Sequence, residues 1–217
     1  MKRTGILATL AGVALATMSL GAQAAAGAVD TSGPQQLIES ASTIMLKDLD
    51  ANRASYRKDK TALYKLVDQT LLPNFDVNYA AQQVLGANWR SATPEQRDRF
   101  IKAFYRSLLT SYGDALVDFT GDKMKVLPFQ GDANASRATV RTQIRRDGGD
   151  TVAVNYSLRK TDAGWKAWDV VIEGISYVNS FKQDFGSEVQ AKGLDGLIQR
   201  LESDAAAGKS AKPAGTK

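Results

Sequence analysis

The chain has 217 residues, 43% of them hydrophobic and 24% charged, with a formal net charge of +5, a globular composition and not a disordered or collagen-like one. It contains neither cysteine nor histidine, which excludes disulfides, zinc sites with sulfur or imidazole ligands, and every Ser-His-Asp or Cys-His mechanism. Any catalysis would rest on Asp, Glu, Lys, Ser or Tyr, and so small a charge excess gives no reason to expect a nucleic acid partner.

The first residues read as a signal peptide: Lys2 and Arg3 are followed by the apolar stretch Gly5 to Leu20 and the small-x-small site Ala22-Gln23-Ala24,. Cleavage after Ala24 makes residues 1–24 an export segment, and without a cysteine at the cut no lipid anchor is expected. Residues 25–204 are expected to form one domain, helical over about 34–120, with a sheet and closing helices over about 121–204. Ala205 to Lys217 has no large apolar residue and reads as a disordered tail.

Four helices are legible in the first half. The first follows Gly33-Pro34, with Leu37, Ile38, Ala41, Ile44, Met45 and Leu49 on one face,. The highly charged run Arg53 to Lys60 reads as its connection to a second helix, about Asp59 to Leu72, which carries Leu63, Leu66, Val67 and Leu71 and is stopped by Pro73,. Asp76 is placed to cap a short third helix ending at Gly86,. The fourth opens on a capping box, Thr93 with Pro94 and Gln96, and presents Phe100, Phe104, Leu108, Tyr112, Leu116 and Phe119 until Gly121,.

From Lys123 the period changes to two, and Met124 to Phe129, Arg137 to Arg146, Thr151 to Arg159 and Trp165 to about Ile172 read as four strands,. Asp147-Gly148-Gly149 and Thr161-Asp162-Ala163-Gly164 supply hairpin turns,. One face of this antiparallel sheet is apolar and must be covered by the helices. Helical spacing then returns, with Val178, Phe181 and Phe185 on one face and Leu194, Leu197, Ile198 and Leu201 on another. The fold class is therefore α+β, a helical half packed on a twisted four-stranded antiparallel sheet with helices at the C-terminal end.

Candidate chemistry is sparse. Asp169 and Glu173 suggest an acid-base pair, yet in a regular strand they would stand about 13 Å apart, so ion pairing or capping of the helix after Ser176 competes with catalysis. Ser55 and Lys58 satisfy Ser-x-x-Lys, but the companion motifs of penicillin-binding enzymes are missing,. Asp147-Gly-Gly-Asp150 lacks the alternating acids of a calcium loop, so no metal and no cofactor is expected. Arg137, Arg141 and Arg145 project from one strand face without interleaved aromatics for base stacking; they read as a solvated outer face, with a docking surface for an acidic protein or lipid head groups as the alternative.

Several segments, taken in order, resemble the MlaC, or toluene-tolerance, family of periplasmic phospholipid-binding proteins. They are Leu71-Leu72-Pro73, Tyr79-Ala80, Val84-Leu85-Gly86, the run Trp89 to Arg97, and Phe104 with Tyr112 to Leu116. In the second half Trp165 to Val170, Glu173-Gly174-Ile175-Ser176 and Lys192 to Ile198 continue the likeness, while Lys182 stands where many members have Arg. The resemblance implies an NTF2-like fold enclosing an apolar cavity and a soluble, non-enzymatic periplasmic carrier, monomeric, with bound phospholipid as its only cargo. Its implied partners are an outer-membrane lipoprotein complex and an inner-membrane ABC transporter with an MCE-domain protein, and its role the maintenance of outer-membrane lipid asymmetry. The implied lining is Leu72, Phe75, Tyr79, Leu85, Phe104, Leu108 and Tyr112 from helices, opposite Val154, Tyr156, Val170, Ile172 and Ile175 from the sheet, with a bulge at Gly174 to bring Ile175 onto that face. An NTF2-like enzyme acting on an apolar small molecule through Asp169 is the alternative.

Overall fold

In this computed structural model the described residues are 28–118, 123–132, 134–146 and 148–209, with only the backbone of residues 114 and 115. The expected signal segment, Phe119, Gly121, Asp147 and the end of the tail lie outside them. The elements are helices α1 (Pro34–Lys58), α2 (Lys60–Thr70), α3 (Val77–Leu85), α4 (Ala87–Ser91) and α5 (Pro94–Val117), strands β1 (Met124–Val126), β2 (Arg137–Arg145), β3 (Thr151–Thr161), β4 (Gly164–Ile172) and β5 (Ile175–Ser176), and helix α6 (Tyr177–Ala206). The fold is α+β, as the change of period predicts.

Most boundaries follow local chemistry. The Thr93 hydroxyl accepts from the Gln96 amide at 3.2 Å and the Gln96 side chain accepts from the Thr93 amide at 3.0 Å, so the expected capping box opens α5. Asp76 accepts from the Tyr79 amide and opens α3, and Gly86 follows its last residue with φ 54°. The charged run after Arg53, expected as a connection, is helix instead: α1 continues to Lys58, and Asp59 is the single link, capping α2 through the amides of Thr61 and Ala62. Tertiary contact carries α1 that far, because Tyr56 is buried and Arg53 donates to the Val117 carbonyl of α5. The short α4, unpredicted, begins directly after Gly86, and its Trp89 packs against the apolar interior with the Arg97 guanidinium over its ring.

The sheet has five strands in the order β1-β2-β3-β4-β5, all antiparallel. The fifth strand was not expected. It exists because Glu173 (φ 51°) and Gly174 (φ 81°) both take positive φ, the requirement of a tight type I′ hairpin, and Ile175 turns back to pair with Ile172. Positive φ is strained for Glu, and β3 holds it there: the Glu173 amide donates to the Ala153 carbonyl at 3.0 Å and its carboxylate accepts from the Ala153 amide at 2.6 Å. The expected bulge at Gly174 is absent; the irregularity lies earlier, where Ser157 pairs Asp169 while Leu158 pairs Ala167, leaving Trp168 extra,.

The C-terminal helix turns sharply. Gly193 has φ 74° and ψ 168°, a conformation that a residue with a Cβ resists. In a straight helix Glu188 and Arg200 would be about 18 Å apart along the axis, yet their side chains meet at 2.7 Å. The second run ends at Ala206 and so reaches into the expected tail.

Buried apolar residues form separate clusters. Leu37 and Ile38 of α1 pack on Val140, Leu158, Trp165 and Ala167 of the sheet. The C-terminal half of α1 joins α2 and α5 through Met45, Leu49, Leu63, Val67, Leu109 and Val117. The third cluster joins α3, α5 and α6 through Val84, Leu85, Phe100, Phe104, Phe181, Phe185 and Leu197.

Candidate functional site

Strand register assigns the apolar sheet residues to one face. Val140 pairs Tyr156, which pairs Val170; Thr142 pairs Val154, which pairs Ile172, which pairs Ile175. Directly paired residues project to the same side, so Val154, Tyr156, Val170, Ile172 and Ile175 share a face. The extra residue at Trp168 makes this possible: before it Trp165 and Ala167 point to that side, and after it Val170 and Ile172 do. Exposure rises along the row, from Val154 at 4% through half-buried Ile172 to Ile175 at 48%, the one large apolar side chain this exposed among the described residues. Ile175 thus stands at the open edge of the sheet and is not enclosed.

The helical residues divide. Leu85 and Phe104 are fully packed in the α3-α5-α6 cluster, where Phe104 stacks on Phe100 and meets Phe181 and Phe185 edge-on. Leu108 and Tyr112, one and two turns further along α5, are only partly buried, and Tyr112 meets Tyr177, the first residue after β5, at 5.3 Å between ring centroids. Phe75 is also half-buried and touches both this cluster and the sheet cluster; it bridges to Ala167 beside β4. Leu72 is half-buried in the 3-10 turn that precedes it. Tyr79 is not brought to this group. It lies under the guanidinium groups of Arg137 and Arg159, donors on the opposite sheet face, accepts from Arg137 at 2.7 Å and meets Trp168 edge-on. Tyr177 and Trp168 are neighbours that sequence reasoning missed; their place follows from the β5 hairpin and the β4 bulge, which no local signal announces.

Electrostatics in the region are muted. Burial pushes the Tyr156 phenol up to about 12, partly offset by the Thr142 side chain, although Tyr156 keeps part of its surface accessible. Asp169 is 4% exposed; its carboxylate accepts from the Val178 amide at 3.0 Å and the Ser176 hydroxyl at 2.6 Å. Burial raises its pKa against those hydrogen bonds and others from the Val170 and Tyr177 amides. Of the readings open for this residue, the structure realises the cap of the following helix. Glu173 holds its own turn, as described above, and Ser55 and Lys58 lie exposed on the last turn of α1. Among the described residues no group of three or more acidic side chains is placed to hold a metal ion, and no helix is long and apolar enough to cross a membrane.

Two open depressions mark the surface. One of about 480 Å³ runs along α6 between Asn179 and Gln190, and one of about 350 Å³ lies between α1 and β1 beside Glu39, Lys47 and Asp50. The first is lined by Asn179, Lys182, Gln183, Gly186, Ser187 and Gln190, the second mixes Glu39, Lys47 and Asp50 with Leu46, Met124 and Val126, and neither includes a residue of the expected lining.

Residues 39–203 match the MlaC protein family. The chain is 30% identical to the toluene tolerance protein Ttg2D of Pseudomonas putida, over 96% of this chain and 93% of that one. It is 26% identical to the intermembrane phospholipid transport system binding protein MlaC of Haemophilus influenzae, over 82% and 85% respectively. It also superposes on a phospholipid-binding protein from Ralstonia solanacearum, solved in complex with a phospholipid, with TM-score 0.76 and 26% identity over 82% of this chain and 99% of that one.

Proposed function

The chain belongs to the MlaC family, and on that premise we propose that it is a periplasmic phospholipid carrier whose acyl chains enter between the apolar sheet face and α5. The observation that carries the reading is the state of the interior. Leu72, Phe75, Leu108, Tyr112, Tyr156, Val170 and Ile172 are all half-buried, at the margins of the packed clusters and not inside them, whereas the middle of an ordinary core is filled to crystal-like density. Ile175 at the exposed end of the row supplies an apolar lip.

The physical need for such a protein is large. Each methylene exposed to water costs about 0.8 kcal/mol, so two chains of about fifteen methylenes would meet a barrier of order 24 kcal/mol in transit. A hollow that accepts them removes most of it, with the polar head group left in water. The carrier acts in one domain, as a monomer without cofactor, between an outer-membrane lipoprotein complex and an inner-membrane ABC transporter with an MCE-domain protein, and in that role serves outer-membrane lipid asymmetry. The enzyme alternative finds no support in the geometry, because both oxygens of Asp169 are committed to the start of α6.

Organic extraction of the purified mature protein, with mass spectrometry of the extract, tests the proposal: about one phospholipid per chain is expected. Val170→Trp sharpens the test by filling the hollow. The variant should fold with undiminished thermal stability and carry no lipid, whereas in a solid core such overpacking would cost about 1–3 kcal/mol. Full occupancy in Val170→Trp, or no lipid in the parent, refutes the reading.

A further inference from the structure

We propose that the solvent-facing side of the sheet is an electrostatic docking surface for an anionic lipid bilayer. Alternation puts Lys125 of β1, Arg137, Arg141 and Arg145 of β2, and Arg159 of β3 on the face opposite the apolar row. Lys166 of β4 joins them, because it precedes the bulge and pairs directly with Arg159. Arg137, Arg159 and Lys166 are therefore consecutive cross-strand neighbours. Like charges directly opposite one another are unfavourable, and three in a row favour an external anion. Carboxylates on this side include Asp76, paired to Arg159, Glu173, committed to the Ala153 amide, and Asp169 beside Ser157, buried under the start of α6 and accepting from Ser176 and Val178. Among the described residues no helix buries the β1-β2 part of the face: Lys125, Arg137, Thr139, Arg141, Gln143 and Arg145 are all exposed.

The chemistry of the patch chooses its occupant. A protein interface depends on a few buried aromatic or aliphatic anchors; between the cations of β2 and β3 stand Thr139, Gln143, Thr151, Ala153, Asn155 and Ser157, none of which can serve, and the apolar groups on this side, Tyr79 under the arginines and Val171 beside Asn155, are half-buried at its β4 end. A plane of anionic head groups needs no anchor and no register, only cations spread over a comparable area. The β1-β2 part of the face offers that distribution. Contact would be reversible and salt-sensitive, since each Lys or Arg near an anionic surface contributes about a fivefold gain in partition and screening acts on exposed charges within a Debye length. The inference goes beyond the carrier proposal, and lipid cargo, measured by extraction, reports on that proposal independently.

The test is co-sedimentation of the mature protein with vesicles of phosphatidylethanolamine containing about one-quarter phosphatidylglycerol, against vesicles of phosphatidylcholine alone. Binding to the anionic vesicles only, abolished by raising the salt, is the expected result. The double variant Lys125→Glu/Arg141→Glu removes two exposed cations and adds two anions, and should lower partition by roughly a hundredfold or more while leaving thermal stability and bound cargo unchanged. Lys58→Glu/Lys65→Glu, with the same net charge placed on exposed positions of α1 and α2, should bind nearly as the parent does. Equal loss in both doubles would show net charge and not this face at work. Absence of binding to anionic vesicles, including the case in which the face instead captures an acidic protein, overturns the proposal.

Discussion

Phe104→Ala separates the packed part of the interior from the part proposed to receive lipid. Phe104 is 1% exposed, parallel to Phe100 at 5.7 Å and edge-on to Phe181 at 5.2 Å and Phe185 at 6.2 Å. Burying an aromatic side chain removes roughly 150–250 Å² from water, about 4–6 kcal/mol at about 25 cal/mol per Å², and Phe-to-Ala changes in cores cost about 3–5 kcal/mol. A loss of about 4 kcal/mol is thus expected, against a total stability of about 5–15 kcal/mol for a domain, so the variant remains folded at room temperature. At about 2–4 °C per kcal/mol for a chain of this size, differential scanning calorimetry of the lipid-free protein should show Tm lowered by about 8–16 °C. Native mass spectrometry at low temperature should find lipid occupancy unchanged, because the rings around Phe104 belong to the α3-α5-α6 cluster and not to the hollow. A Tm within about 2 °C of the parent together with lost lipid would show that Phe104 lines the site and that the division of the interior drawn above is wrong.

Asp169→Ala should lower stability by about 2 kcal/mol, because the Val178 amide and Ser176 hydroxyl lose a buried acceptor,; Asp169→Asn, which keeps one acceptor and removes a buried charge, should cost less, and both should bind lipid as the parent does in the extraction assay. Glu188 is held below the usual carboxylate range by hydrogen bonds from Arg200, with Lys192 adding to it. Its folded pKa lies below the unfolded one, so its contribution is present above about 4.5 and is lost as pH falls through the folded value. Urea melts should show Glu188→Gln destabilised by about 1–2 kcal/mol at neutral pH, with the gap to the parent closing in acid. A gap that persists there would mean that the pair does not clasp the two runs of α6.

The sequence by itself determined what short-range chemistry controls. The Thr93-Gln96 capping box, the Asp76 cap, Gly86 and the period-two strands from Arg137 to Ile172 are each decided by hydrogen bonds or steric limits within a few residues, and each is where the pattern predicts. The shared sheet face of Val154 and Tyr156 is equally local, since alternation is a property of a single strand.

Only the tertiary structure decided the rest, because it depends on what stands opposite a residue. The spacing of Phe104 and Leu108 marks one apolar stripe, but α6 fills the space before Phe104 and leaves Leu108 half-open. The bulge at Trp168 reverses the parity of β4, so Trp165 and Val170 share a face that strict alternation would deny them. Ile175 reaches that face by a hairpin that Ala153 stabilises from twenty residues away. Tyr79, alike in type to Tyr112, was drawn to the other side of the sheet by two arginines. In each case the deciding interaction joins segments distant in sequence, and no window along the chain contains both partners.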